Sequence, residues 1–245
     1  MTAYQDVFQR VEKKYLLDSG QYHHLMRRLK PSVIPDRFPR STIGNVYYDT
    51  PARSLIRTSL EKPVYKEKLR LRSYEIPAAD TTVFLEIKKK FKGVVYKRRE
   101  GLPYERAKKW LTGQAPPYED GSSQIAREID WFLHRYGELE PAMFLSYERL
   151  AFQGKENPAL RVTFDENILW REHQPELDKG LWGAPLLPPG STLMEIKIPG
   201  AMPLWLAREL DTLRIYPCSY SKYGSAYQLA LLRKGRENKG GIVCA

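Results

Sequence analysis

Seven residues, Lys66–Arg72 (KEKLRLR), concentrate the side chains best suited to gripping a polyanion. Side chains on a β-strand alternate with a period of two. Read that way, Lys66, Lys68, Arg70 and Arg72 share one face, and Glu67, Leu69 and Leu71 share the other. Four cations in a row repel one another. Solvent at a guarded sheet edge, nearby carboxylates, or a phosphate-rich ligand would each offset that repulsion.

The pattern recurs along the chain. Arg10, Glu12 and Lys14 share a face within residues 5–17; Glu86, Lys88 and Lys90 share one within 82–90; Lys97 and Arg99 align in 94–99. Arg149 follows Tyr147 in phase within 141–153, Arg161, Thr163 and Asp165 fall together in 160–171, and Glu195 and Lys197 do so in 192–198. If the sheet closes on itself, these faces line one lumen. Cations with a few carboxylates suit phosphate and a divalent metal. Arg and Lys take the phosphate oxygens, and carboxylates take Mg2+ or Mn2+.

The elements that must carry these residues are eight predicted strands, at 5–17, 43–48, 64–74, 82–90, 94–99, 141–153, 160–171 and 192–198. Helices are predicted at 19–29, with Ser19 as N-cap, and at 104–112, 124–136, 204–213 and 221–233. Pro31, Pro35 and Pro39 mark a loop, Gly93 a turn, and residues 113–123 and 175–190 Pro/Gly-rich connections. Strands without a βαβ rhythm predict an α+β chain with a mostly antiparallel sheet. Trp110, Trp131 and Trp205 read as core or helix-packing residues, and His23, His24, His134 and His173 as ordinary surface residues. Lys89, Lys90 and Lys92 form either a turn facing water or a rim that guides a polyanion.

The 245 residues carry a net charge of +11, and residues 53–109 hold 17 Lys or Arg against 7 Asp or Glu. Nearly the whole excess therefore sits in under a quarter of the chain, which favours an anionic partner. Two cysteines, Cys218 and Cys244, make neither a disulfide framework nor a zinc site and suit a reducing, cytoplasmic setting. The first residues lack a signal-peptide core, and no run approaches the roughly 18 apolar residues of a spanning helix. Nucleic acid is not expected as a partner, because no RNP, KH or helix-turn-helix signature accompanies the charge.

Seven motifs in order resemble the triphosphate tunnel metalloenzyme superfamily, opened by Glu12-Lys13-Lys14. They are closest to the polyphosphate polymerase domain of the vacuolar transporter chaperone (VTC) complex, which also occurs as a stand-alone bacterial domain. The motifs are VYYDTP (46–51), KLRLRSY (68–74), FLEIKKK (84–90), YERLAFQ (147–153), RVTFDENI (161–168), MEIKIP (194–199) and SYSKY (219–223). The resemblance implies an eight-stranded antiparallel β-barrel, the triphosphate tunnel, with flanking helices. It implies one tunnel domain over residues 1–234 and a flexible tail at 235–245.

The implied activity is metal-dependent transfer of the γ-phosphate of ATP to a growing inorganic polyphosphate chain. ATP, polyphosphate, pyrophosphate and phosphate are the implied partners, and Mn2+ or Mg2+ the cofactor. A triphosphatase or a non-catalytic polyphosphate-binding module are the alternatives. By motif, Lys222, Arg70, Arg72 and Lys88 would act on the transferring group. Lys14, Lys68, Lys97, Tyr147, Arg149, Arg161, Lys197 and Ser221 would bind substrate, and Glu195, Glu12 and Glu86 the metal. Asp165 could bind metal or only hold Arg161, and the second is the expectation. One departure stands out: Ser219 occupies a position where the family has a lysine. Neither the family's regulatory domain nor its membrane domain is expected within these residues.

Overall fold

The structure is a computed structural model that describes residues 10–92, 94–114 and 123–240. Among the described residues nine strands form: β1 (Arg10–Leu17), β2 (Val33–Asp49), β3 (Tyr65–Ser73), β4 (Thr82–Phe91), β5 (Val94–Pro103), β6 (Glu140–Gly154), β7 (Arg161–Arg171), a two-residue β8 (Ala184–Pro185) and β9 (Thr192–Pro199). Six α-helices accompany them among the described residues: α1 (Ser19–Leu29), α2 (Ser54–Leu60), α3 (Tyr104–Leu111), α4 (Gln124–Tyr136), α5 (Leu204–Thr212) and α6 (Lys222–Gly240). The sheet is antiparallel in every pairing whose register is resolved, with strand order β1-β9-β7-β6-β2-β3-β4-β5 and β8 beside β7. Among the described residues this order is a path with two ends, not the hydrogen-bonded ring that a closed barrel predicts.

Two compact units divide the chain. The first comprises Met1–Thr42, Tyr147–Ile168 and Leu187–Tyr220; the second comprises Ile43–Ser146, Leu169–Leu186 and Ser221–Ala245. In the second unit, Leu69 and Leu71 of β3 and Val83, Leu85 and Ile87 of β4 are buried against Ala107 and Trp110 of α3 and Ile129 and Phe132 of α4. Each such side chain contributes about 1.5–3 kcal/mol by leaving water. Burial of these alternate residues leaves the cations of β3 and β4 on the opposite face. In the first unit, Tyr15, Leu17, Val162, Phe164, Met194 and Ile196 pack with Leu25 and Leu29 of α1 and Leu206 and Leu210 of α5. The polar residues of β1, β7 and β9 are again left on the other face.

Four local expectations change. Asp18, not Ser19, caps α1: its carboxylate accepts from the Gln21 N–H at 2.7 Å, and the Gln21 side chain accepts from the Asp18 N–H at 3.2 Å. This reciprocal pair is a capping box. The proline segment is strand rather than loop, because β2 begins at Val33 and its stretch around Pro35 and Pro39 is exposed, where a missing N–H is tolerated. Helix α2 was not anticipated. It starts beside Arg53, whose backbone is left-handed (φ 57°), and Asp49 accepts from the N–H groups of Leu55 and Ile56 at 2.9 and 3.0 Å. Helix α6 continues to Gly240 rather than ending at Arg233. The turn at Gly93 and parts of the predicted first strand and of the 113–123 loop lie outside the described residues.

Candidate functional site

Strand register in the second unit sorts the cations into rows. Directly opposed residues on antiparallel strands share a face, with Cβ atoms about 5 Å apart. One row crosses β3, β4 and β5 as Lys68, Lys88 and Lys97. The next runs Tyr47, Arg70, Glu86 and Arg99 from β2 to β5, and the third is Asn45, Arg72, Phe84 and Gly101. Lys66 lies opposite Lys90, outside the lysine row.

Glu86, 1% exposed, is the hub of this face. Arg70 reaches its Oε2 through Nε (2.7 Å) and Nη2 (2.6 Å), and Lys97 Nζ reaches Oε1 at 2.7 Å. Arg99 and Arg72 stand 3.6 and 3.9 Å away. Burial alone would raise the carboxyl's pKa, but Arg70, Arg72 and Lys97 outweigh it and hold the group well below the usual range. Lys97 is pushed down to about 8, first by burial and then by Arg72 and Arg70, although Glu86 opposes the shift. Arg70 donates to the Tyr47 hydroxyl at 3.2 Å, and Arg72 Nε to Asn45 Oδ1 at 2.9 Å. The Arg99 guanidinium lies 3.4 Å over the Phe84 ring, and its buried Nε–H faces Glu86 Oε1 at 3.6 Å, just beyond hydrogen-bond range.

The start of α6 belongs to the same unit. Ser221 Oγ accepts from the Gly224 N–H (3.2 Å) and from Lys68 Nζ (3.3 Å), leaving Lys222 as the first helical residue. Tyr223 stacks on Tyr47 at 4.5 Å and donates its hydroxyl to Asp49 Oδ2 at 2.9 Å. The Lys68 ammonium lies 5.7 Å from the Tyr223 ring centre. Asp49, fully buried, accepts four hydrogen bonds in all, three from backbone N–H groups. Burial and the Asp49 charge raise the Tyr223 phenol far above its ordinary value.

A second cluster lies in the first unit. Register pairs Glu12 with Lys197 and Lys14 with Glu195 across β1 and β9, then Lys197 with Arg161 and Glu195 with Thr163 across β9 and β7. Lys14 Nζ is 3.5 Å from Glu12 and 3.6 Å from Glu195, and donates to the Tyr220 carbonyl at 3.0 Å. The other Glu195 oxygen faces Lys197 at 3.2 Å and Arg149 at 3.8 Å. Arg149 holds Asp165 with two parallel bonds of 2.6 and 2.7 Å and lies over the Tyr147 ring. Burial would lower the Arg149 pKa; Tyr147, Asp165 and Glu195 together raise it well above the ordinary value. Arg161 pairs with Asp36. The expected Asp165–Arg161 link is therefore replaced by Asp165–Arg149 and Arg161–Asp36, because Asp36 comes from β2, far away in sequence.

Glu12 and Glu195 converge on one ammonium, whereas Glu86 belongs to the other unit's cluster. Among the described residues no three His, Cys, Asp or Glu side chains gather as a metal site. Two carboxylates that share a cation still fit Mg2+ or Mn2+, which take one or two carboxylates and complete their shell with water and phosphate oxygens. Beside them Thr163 Oγ is buried without a hydrogen-bond partner.

Sequence reasoning placed Arg99 on the right face but did not single it out, and missed Tyr47, Asp49 and Tyr223. For these the signal was the VYYDTP and SYSKY motifs themselves, which contain them. Trp110 is buried as expected; Trp131 is 53% exposed, because it sits on the side of α4 turned away from the core.

The VTC domain profile matches residues 9–231. Among solved structures, a candidate adenylate cyclase from Bacillus halodurans superposes with a TM-score of 0.53 at 14% identity, covering 86% of this chain and 93% of that one. A candidate adenylate cyclase from Vibrio parahaemolyticus gives 0.45 at 14% identity, with 90% and 98% covered. The Mimivirus capping enzyme triphosphatase gives 0.35 at 9%, with 83% and 88% covered. The first of these likenesses bears on the fold alone. No curated protein matches the chain.

Proposed function

The chain belongs to the VTC domain family, and on that premise we propose that it is a polyphosphate polymerase, transferring the γ-phosphoryl group of ATP to an inorganic polyphosphate chain. One observation carries the reading: Lys68, Lys88 and Lys97 stand opposite one another on three adjacent strands, next to a row with two arginines and a single carboxylate. Like charges directly opposed are destabilising. A polyanion turns that repulsion into attraction.

In the reaction, a terminal phosphate oxygen of the acceptor attacks the γ-phosphorus. The bond between that phosphorus and the β–γ bridging oxygen breaks, and ADP leaves with the electron pair. No protein nucleophile is required, because positioning and charge neutralisation dominate phosphoryl transfer. Arg70, Arg72 and Lys88 hold equatorial oxygens, with Lys68 and Lys97 as neighbours. Lys222, beside the N–H groups at the start of α6, meets charge that develops on the transferring group. In the first unit Lys14, Arg149, Arg161 and Lys197 bind phosphate, with Tyr147 beneath Arg149. Glu195 and Glu12 would hold Mn2+ or Mg2+, which when bound neutralises phosphate charge as a Lewis acid.

Incubation with ATP and Mn2+ tests the proposal by its products on a gel. Long phosphate chains support it. Free phosphate alone makes the protein a triphosphatase, and salt-sensitive polyphosphate binding without turnover makes it a binding module. Lys222→Ala should lower kcat about 10²–10³-fold, the loss seen when one transition-state donor is removed; unchanged turnover would remove Lys222 from its role.

A further inference from the structure

The end of the β4–β5 hairpin and the adjoining start of β3 carry a surface that phosphoryl transfer leaves unused. Val64, Tyr65, Phe91, Val95 and Tyr96 are between 39% and 63% exposed. Register places Tyr65, Phe91 and Tyr96 on one face of the hairpin end, where Tyr65 opposes Phe91 and Lys89 opposes Tyr96, and Val95, opposite Lys90, on the other; the Lys92 N–H bonds the Val64 carbonyl at 3.0 Å. All five lie within about three residues of the hairpin end, or roughly 10 Å at 3.3 Å per residue.

Lys62, Lys90 and Lys92 are exposed beside them, and Lys66 and Lys89 are half-buried, Lys89 over the Trp131 ring and opposite Glu67. Lys92 lies 5.5 Å over the Phe91 ring, and Lys66 bonds the Ser59 carbonyl at 2.9 Å. Two carboxylates are near in sequence. Glu61 is exposed, while Glu67 is buried and accepts from the Tyr65 and Tyr136 hydroxyls. The crowding is felt: burial, Lys90 and Lys62 together lower the Lys66 pKa.

We propose that this hairpin end docks the protein on an anionic lipid surface, with the apolar and aromatic side chains entering the headgroup layer and the lysines meeting lipid phosphates and carboxylates. An apolar tip about 10 Å deep matches the 5–10 Å to which amphipathic elements enter that layer. Three exposed lysines, Lys62, Lys90 and Lys92, with Lys66 and Lys89 half-buried behind them, supply positive charge that acidic lipids attract at about 1 kcal/mol per lysine. A rim that merely guides soluble polyphosphate needs the cations but not five exposed apolar side chains. A second copy of the chain would present the same positive charge and be repelled. The proposal is independent of the phosphoryl-transfer reading.

The test is co-sedimentation with vesicles of phosphatidylcholine alone or with about one-third phosphatidylserine. The protein should bind only the acidic vesicles. Each lysine near such a surface strengthens partitioning about fivefold, so the Lys90→Ser, Lys92→Ser pair should weaken it about 25-fold. The Val64→Ser, Phe91→Ser pair should weaken it about tenfold through lost apolar burial. Both pairs should keep the parent melting temperature. Failure to bind acidic vesicles overturns the proposal. So does equal binding by the Val64→Ser, Phe91→Ser pair, which would mean adsorption by net charge alone. If the lysine pair loses affinity for soluble polyphosphate but not for vesicles, the surface is a substrate rim and the proposal fails.

Discussion

Replacing Glu86 by Gln keeps the side-chain volume and removes the charge that Arg70, Arg72, Lys97 and Arg99 share. Removing one partner of a buried ion pair costs about 3–5 kcal/mol, because the other charge is left behind. Arg70 and Lys97 retain some solvent, at 17% and 41% side-chain exposure, so screening places the cost at the lower end, about 3 kcal/mol. For a chain of this length each kcal/mol shifts the melting temperature by about 2–4 °C, so the variant should melt about 6–12 °C lower. Tripolyphosphate should then stabilise the variant more than the parent, because the ligand meets the same cations without a competing carboxylate. At one hundred times its Kd a ligand adds about 2.7 kcal/mol. Scanning calorimetry of metal-free protein, with and without tripolyphosphate, reads both quantities. A melting temperature within about 2 °C of the parent, or a smaller ligand shift, refutes the counter-ion reasoning. A carboxylate whose task is to bind metal would leave the metal-free protein little changed.

Lys97, held near 8, should lose its charge as pH rises from 7 to 9, so tripolyphosphate affinity falls across that window; Lys97→Arg, which does not titrate there, should flatten the profile measured by titration calorimetry. Because the Glu86 pKa is lowered on folding, its contribution is complete above the ordinary glutamate value and is lost as pH falls through the folded value. Acid unfolding of the parent should therefore show a step that Glu86→Gln lacks. Tyr223→Phe removes the hydroxyl bond to Asp49 and keeps the stack on Tyr47; a bond to a charged acceptor is worth about 1.5–3 kcal/mol, read as a lower denaturant midpoint at constant slope. Glu195→Gln should weaken Mn2+ binding in the absence of nucleotide, and an unaltered isotherm would count against Glu195 as a ligand.

Much of the sheet was legible because alternation has a steep energetic consequence. Lys68, Arg70 and Arg72 cannot enter the core that Leu69 and Leu71 require, so β3 has one possible facing. The same logic located β4, β7 and β9. What alternation does not encode is the partner of each charge. Arg161 takes Asp36 and Arg149 takes Asp165, choices made by strand order rather than by spacing. Asp49 was hidden for a related reason: it sits in a strand but caps the helix after it, so its role spans two elements. Pro35 and Pro39 read as loop because proline removes a ladder donor, a penalty that vanishes where the strand faces water. Trp131 read as packing because size favours burial, but its position on α4 outweighs size.

The lysine and arginine rows also act before any substrate is present. A one-residue slip of β3 against β4 would turn Lys68, Arg70 and Arg72 toward Leu85, Ile87 and Phe132. Burying three unpaired cations there would cost more than the roughly 5–15 kcal/mol that holds a domain folded. The cations therefore favour one strand pairing while the chain folds, whatever ligand they later meet. A variant with all of them neutralised would lose strand register along with surface charge, so single replacements in these rows are the informative ones.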